Sequence, residues 1–272
     1  MLRRTVSVCM AVLALGPAMS AWAGAESPFD RLVVFGDSLS DGGNAGRYSN
    51  GPVWVEQLAV RLGLELRPSR ERGFNFAVGG AHLDPGSGPD SLRAQADAFL
   101  ALPKPQGRTL HIVYGGGNDL LAAIGHPRAP MLADAAATSL RSILADLVAH
   151  GATDVLVPNL PDVGMTPAVR ARGDRAVAEA AVLTDRFNAA LERVLTAFAA
   201  EPRLRLYRLD VRSMAERVRQ DPGASGFVDI ASPCSRLRRC DGYLFWDDVH
   251  PTAEAHARLA EAAFAALSPM GR

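Results

Sequence analysis

The chain has 272 residues, 48% of them hydrophobic and 21% charged, with 29 Lys+Arg against 29 Asp+Glu and a formal net charge of +0. That is enough apolar material for one full-sized core. There is no basic stripe of the kind nucleic acid requires, and no run beyond the N-terminus approaches the ~20 apolar residues of a membrane helix.

The first residues read as a targeting signal. Arg3 and Arg4 precede the apolar stretch Val6–Leu15, and Ala21-Trp22-Ala23 supplies a small-x-small cleavage site. A secretory signal over residues 1–23 is expected, leaving 24–272 as a single secreted or periplasmic domain working as a monomer. Cys9 falls within the signal, so the mature chain keeps Cys234 and Cys240. In an oxidising compartment these two are expected to form a disulfide. It closes a short loop and contributes about 2 kcal/mol by chain entropy. A metal pair is the competing reading, but further Cys or His ligands at useful spacing are lacking.

Leu32-Val33-Val34-Phe35 predicts a buried strand that delivers Gly36-Asp37-Ser38 into a turn. Apolar residues at helical spacing follow over Val53–Leu62, and Gly63 ends that helix. Asn75–Val78 reads as a second strand running into Gly79-Gly80, and Ser91–Leu102 as a helix closed by Pro103 and Pro105. Leu110–Tyr114 is a third strand, ending in Gly115-Gly116-Gly117 before Asn118. A long helix over Met131–His150, a strand at Asp154–Val157, a second long helix over Arg175–Ala200 and a fifth strand at Leu204–Leu209 come next. Val211–Arg219 is helical, Asp221–Trp246 loop-like, and Pro251–Leu267 a final helix with proline in its first turn.

Strands alternating with helices imply a mainly parallel, five-stranded sheet covered on both faces. Three strands end in small or glycine-rich turns, and in a parallel sheet those turns share one edge, where ligands bind. Ser38 is the candidate nucleophile there, although Asp37 or Ser38 could simply cap a helix. Of six histidines, His111 reads as a core or edge residue and His150 as a helix terminus. His82 and His126 read as loop residues, and His256 as surface. His250 differs, because Asp247 three residues earlier can fold back onto its Nδ1, fixing the tautomer and stabilising an imidazolium.

Four blocks together resemble the GDSL esterase/lipase family of the SGNH hydrolase superfamily. They are Gly36-Asp37-Ser38-Leu39-Ser40-Asp41, Asn75–Ala81, Gly115–Asp119 and Trp246–Thr252, present in order across nearly the whole mature chain. The resemblance implies a three-layer α/β/α, flavodoxin-like fold and a serine hydrolase of carboxylic esters that needs no cofactor and no metal. It implies Ser38 as nucleophile, His250 as general base and then acid, and Asp247 as its orienting partner. Its oxyanion donors would be the N–H groups of Ser38 and Gly80 and the amide of Asn118, with Gly79 and Asp248 as local competitors. Substrates handled by such a fold run from lipid and short acyl esters to acetylated polysaccharides. Lipid or short-to-medium acyl esters are favoured here, with Leu83, Leu120, Leu121 and Phe245 as candidate acyl-pocket residues. The rival readings are an acyltransferase using the same acyl-enzyme and a non-catalytic surface-binding module.

Overall fold

The first strand, β1 (Arg31–Gly36), is buried from its second residue onward because it lies inside the molecule with helices over both faces. A strand with two covered faces has no need to alternate polar with apolar residues, which is why it reads as an apolar run. In the computed structural model, which describes residues 27–267 except 84, 85 and 87, it pairs in parallel with β2 (Thr109–Tyr114). β2 pairs with β3 (Asp154–Pro158), and β3 with β4 (Arg205–Leu209), so the sheet order is β1-β2-β3-β4 with every pair parallel. The expected signal over residues 1–23 lies outside the described residues.

Four strands form this sheet where five were expected. The segment Asn75–Val78 does lie along the free edge of β1: Val34 N–H donates to Phe74 O at 2.9 Å, and Val78 N–H donates to Gly36 O at 3.1 Å. It makes isolated parallel bridges, Val34 and Pro68 each to Asn75, rather than a ladder. The Asn75 side chain is committed to the backbone instead, donating to Ser40 O at 2.8 Å and accepting from Ala77 N–H at 3.1 Å. Such local bonding competes with a regular ladder.

On one side α1 (Trp54–Arg61) packs against α8 (Ala253–Leu267). On the other, α4 (Ala129–Ala149) packs against α2 (Leu92–Leu100), α3 (Gly117–Ala123) and α6 (Asp174–Phe198). Between α6 and the last helix lie α7 (Val211–Gln220) and a small second sheet of β5 (Asp229–Pro233) and β6 (Tyr243–Phe245). A short helix, α5 (Pro167–Arg170), touches β5. The stretch expected to be a loop over Asp221–Trp246 is therefore partly stranded. Its strands are short and its register irregular, so it carries almost no periodic signal. Cys234 and Cys240 are joined by the expected disulfide, with Cα atoms 5.3 Å apart.

At the N-terminal edge of the sheet, Asp154 is wholly buried. It accepts from Arg205 Nε at 2.7 Å, Arg108 Nη2 at 2.8 Å and Thr153 Oγ1 at 2.9 Å. Burial alone would raise its carboxyl, but these donors outweigh burial and hold it far below the carboxylate range. The opposite edge is where the glycine-rich turns gather.

Candidate active site

The turn after β1 is held by side chains from three directions. Gln95, buried on α2, clamps Gly36 with Oε1 accepting its N–H and Nε2 donating to its carbonyl, both at 2.9 Å. At the next residue, Asp37 Oδ1 accepts the Leu39 N–H at 3.0 Å. Asp41, also buried, accepts from the N–H groups of Gly43, Asn44 and Ala45, and from Gly79 N–H at 2.8 Å. Asp41 thereby ties the Ser38 turn to the second glycine turn. A carboxylate accepting several N–H bonds is well satisfied in the interior.

Ser38 sits at the resulting corner, and its Oγ lies 2.9 Å from His250 Nε2. The other ring nitrogen of His250 faces Asp247, with Nδ1 at 2.8 Å from Oδ2 and 2.9 Å from Oδ1. Asp247 Oδ1 also accepts the N–H groups of Val249 and His250, at 2.8 and 2.7 Å, so the turn is closed by the same carboxylate that faces the ring. Burial pushes the Asp247 carboxyl up, but bonds from the His250 ring and from these two N–H groups prevail and hold it below the usual range. The neighbouring Asp248 is exposed, and its carbonyl accepts from Ala168 N–H on α5. Tyr48 packs on the His250 ring with centroids 5.1 Å apart.

The glycine turns place their donors differently. Gly79 N–H is committed to Asp41, whereas Gly80 N–H meets no acceptor among the described residues. Gly80 has φ +78°, and a Cβ built there would meet nothing within 4 Å, so its backbone stands open. A Cβ on Gly79 would fall 2.2 Å from the Tyr48 ring. Ser38 N–H also lacks an acceptor among the described residues. Asn118 lies in the first turn of α3, where Gly116 at φ +109° is the N-cap; a Cβ on Gly116 would meet Phe187 at 2.7 Å. Asn118 Nδ2 donates one bond to Ala81 O at 2.9 Å, which fixes the amide and leaves its second N–H.

Ser38, Asn118 and His250 border one cavity of about 180 Å³. Its walls are predominantly apolar, with Leu121 from α3, Met165, Met214 and Val218 from α7, Phe227 and Phe245 among the contributors. Of the four residues expected near an acyl pocket, Leu121 and Phe245 line it, while Leu83 and Leu120 are core. The α7 and Phe227 contributions escaped the sequence reading, because nothing in a helical stripe says which partner it faces. Two ionisable groups on this wall were also missed. Burial pushes the Asp37 carboxyl up to about 6, with the Leu39 N–H and His250 opposing. His256, expected at the surface, is 1% exposed and has no partner on either ring nitrogen among the described residues. Burial, with His250 and Arg47 nearby, pushes its imidazole down to about 3, so it is neutral. It shares one helical stripe of α8 with Ala260, Ala263 and Leu267, and that spacing was the available signal.

Among the described residues, no three His, Cys, Asp or Glu side chains are grouped as a metal site needs. The arrangement that is present, hydroxyl to imidazole to carboxylate beside unspent N–H donors, suits acyl transfer.

Comparisons with known proteins point the same way. The model of the family described as GDSL-like Lipase/Acylhydrolase matches residues 32–263. Lipase 1 of Photorhabdus luminescens is 36% identical over 152 residues, covering 52% of this chain; the chain spans 24% of that protein. A phosphatidylcholine-sterol acyltransferase of Aeromonas hydrophila is 27% identical over 308 residues, covering 86% of this chain and 89% of the other. Among solved structures, a member of the lipolytic G-D-S-L family from Veillonella parvula is 16% identical with a TM-score of 0.53, covering 87% of this chain and 97% of its own. An acetyl xylan esterase from Geobacillus stearothermophilus is 15% identical with a TM-score of 0.54, covering 89% and 96%. At these identities the two structures establish the shared three-layer α/β/α fold.

Proposed function

We propose, since this chain belongs to the GDSL-like lipase/acylhydrolase family and is a carboxylic ester hydrolase, that it cleaves lipid or short-to-medium acyl esters through an acyl-enzyme on Ser38. The observation that carries this reading is the 2.9 Å contact of Ser38 Oγ with His250 Nε2 at the border of an apolar cavity. Ser38 Oγ attacks the ester carbonyl while His250 Nε2 takes its proton, and Asp247 holds the ring and the positive charge that develops on it. The Ser38 and Gly80 N–H groups and the Asn118 amide receive the oxyanion. His250 then protonates the departing alkoxide, leaving the acyl group on Ser38. Water enters, gives its proton to His250 and attacks the acyl carbon, and the proton returns to Ser38 as the acid leaves. Every group needed is a side chain or N–H of this chain, so no cofactor or metal enters the steps.

The similarity to an acyltransferase favours one second reading, in which an alcohol replaces water in the last step. Product analysis with and without a lipid alcohol separates the two. The disulfide supports secreted or periplasmic placement, since such bonds persist in oxidising compartments.

The test is a panel of p-nitrophenyl esters of graded acyl length, run on the wild type and on Ser38→Ala. A chain-length optimum is expected, with a loss of about a millionfold in kcat for the variant. A flat response that survives in Ser38→Ala would overturn it.

A further inference from the structure

The β5–β6 segment that turns Phe227, Leu244 and Phe245 toward the cavity has an outer face of another kind. Between the bridged cysteines run Ser235-Arg236-Leu237-Arg238-Arg239, all exposed. Leu237 is 51% exposed, and Val228 at the root of the same segment is 83% exposed. Arg239 pairs with Asp241 at 2.7 Å, but Arg236 and Arg238 meet no carboxylate among the described residues. The chain as a whole carries a formal charge of +0, so this concentration of cations is local. Two carboxylates lie nearby in sequence: Asp229 accepts the N–H groups of Ala231 and Ser232, and Asp248 is exposed beyond the Asp247 carboxylate.

The loop is fixed in place as well as charged. Beyond the disulfide, Cys234 N–H donates to Phe245 O at 3.1 Å and Ser235 N–H to Trp246 O at 2.7 Å. Leu237 N–H donates to Cys234 O at 2.8 Å, which curls the tip and holds its leucine outward. Trp246 N–H in turn donates to His250 O at 2.8 Å, so the loop's anchor is the residue next to the Asp247–His250 turn. A rigid loop with two unpaired guanidinium groups flanking an exposed leucine matches the layered chemistry of an anionic bilayer, with phosphates outermost and hydrocarbon beneath. Its rigidity means little ordering entropy is lost on docking.

We propose that the Cys234–Cys240 loop docks this protein onto bilayers rich in anionic phospholipid, with Arg236 and Arg238 on the phosphates and Leu237 in the acyl boundary. Docked there, the segment that forms the outer contact also forms part of the cavity wall beside Ser38. Lipid esters would then reach the cavity from the membrane rather than from water. The consequence for turnover rests on the ester-hydrolase reading; the docking itself does not need Ser38.

The test uses the full chain bearing Ser38→Ala, so that vesicles stay intact, in co-sedimentation with phosphatidylcholine vesicles with and without phosphatidylglycerol. Binding is expected to the anionic vesicles, weakening as salt rises. Arg236→Ser with Arg238→Ser should weaken it roughly 25-fold, at about fivefold per arginine, and Leu237→Ser by about tenfold. In an otherwise wild-type chain, the same substitutions should leave hydrolysis of a soluble short-chain ester unchanged, which checks folding. Equal binding to neutral vesicles, or indifference to all three substitutions, would overturn the proposal. So would arginine-dependent binding to soluble polygalacturonate as tight as to vesicles, with no effect of Leu237→Ser, since that marks a polysaccharide surface. Vesicle binding without any wild-type ester hydrolysis would overturn the catalytic reading and leave the docking standing.

Discussion

Two adjacent aspartates, Asp247 and Asp248, differ in everything except their side chain. Asp247 touches the His250 ring and both N–H groups of the turn, whereas Asp248 is exposed. Asp247→Ala should therefore lower kcat by on the order of 10,000-fold through loss of the correct tautomer and its counter-charge, and Asp248→Ala should change it less than about threefold, as an exposed group does. Steady-state kinetics of the pair decide it; equal losses would sink the assignment. Asn118→Ala should cost about 100- to 1,000-fold in kcat with little change in KM, as removal of one oxyanion donor does. Asp37 offers a pH test. Its folded pKa of about 6 lies above the ordinary carboxyl value of 3.8, so the folded chain holds the proton more tightly in between. Folding is then opposed by ionisation as pH rises through that window, by on the order of 3 kcal/mol. Asp37→Asn should remove this fall, seen as a gain in stability relative to wild type between pH 4 and pH 7 in denaturant titrations at ~pH 4 and ~pH 7. An unchanged difference across that range would contradict it.

At the scale of elements, the site is a set of strand ends pulled together by loop hydrogen bonds. Gly116 shows how little room there is: with φ +109° and Phe187 2.7 Å from a Cβ position, Gly116→Ala should shift the start of α3 and move Asn118. We expect a loss of about 2–3 kcal/mol in stability, from strain and overpacking together, and a kcat loss exceeding that of the exposed Val60→Ala control. At the other edge, Asp154→Asn should cost about 1.5–3 kcal/mol by removing the charge that accepts bonds from Arg108 and Arg205, while the folded fraction keeps its kcat. The sign of its pH dependence is opposite to that of Asp37. A depressed carboxyl contributes stability above its unfolded pKa and loses it on acidification. Much of this layout was legible in the sequence. Apolar runs located β1, β2 and β3, the first two running into glycine, an alternating run located β4, and four short blocks held the candidate residues Ser38, Gly80, Asn118, Asp247 and His250. What was not legible depends on partners distant in sequence. Asn75–Val78 looked like a strand until Asn75 bonded elsewhere, and β5 and β6 were too short to show a period. The roles of Gln95 and Asp41 are invisible until the chain folds onto them.

For the molecule as a unit, the proposed function ties the cavity beside Ser38 to substrate length. Met214 on α7 lines it far along the chain from Ser38, and Met214→Trp should fill part of its volume. Each methylene of acyl chain thus excluded forfeits about 0.8 kcal/mol, or roughly fourfold in kcat/KM, so the chain-length optimum should move to shorter esters with acetyl ester hydrolysis retained. The claim on which all of this rests is that Ser38 Oγ becomes the acyl carrier. Incubating the protein with an alkyl fluorophosphonate and weighing the intact chain, then its peptides, tests that claim without any assumption about substrate. One adduct per chain is expected, located on Ser38, with labelling abolished in Ser38→Ala and greatly slowed in His250→Ala. An adduct on another residue, or labelling that persists in Ser38→Ala at the wild-type rate, would contradict it.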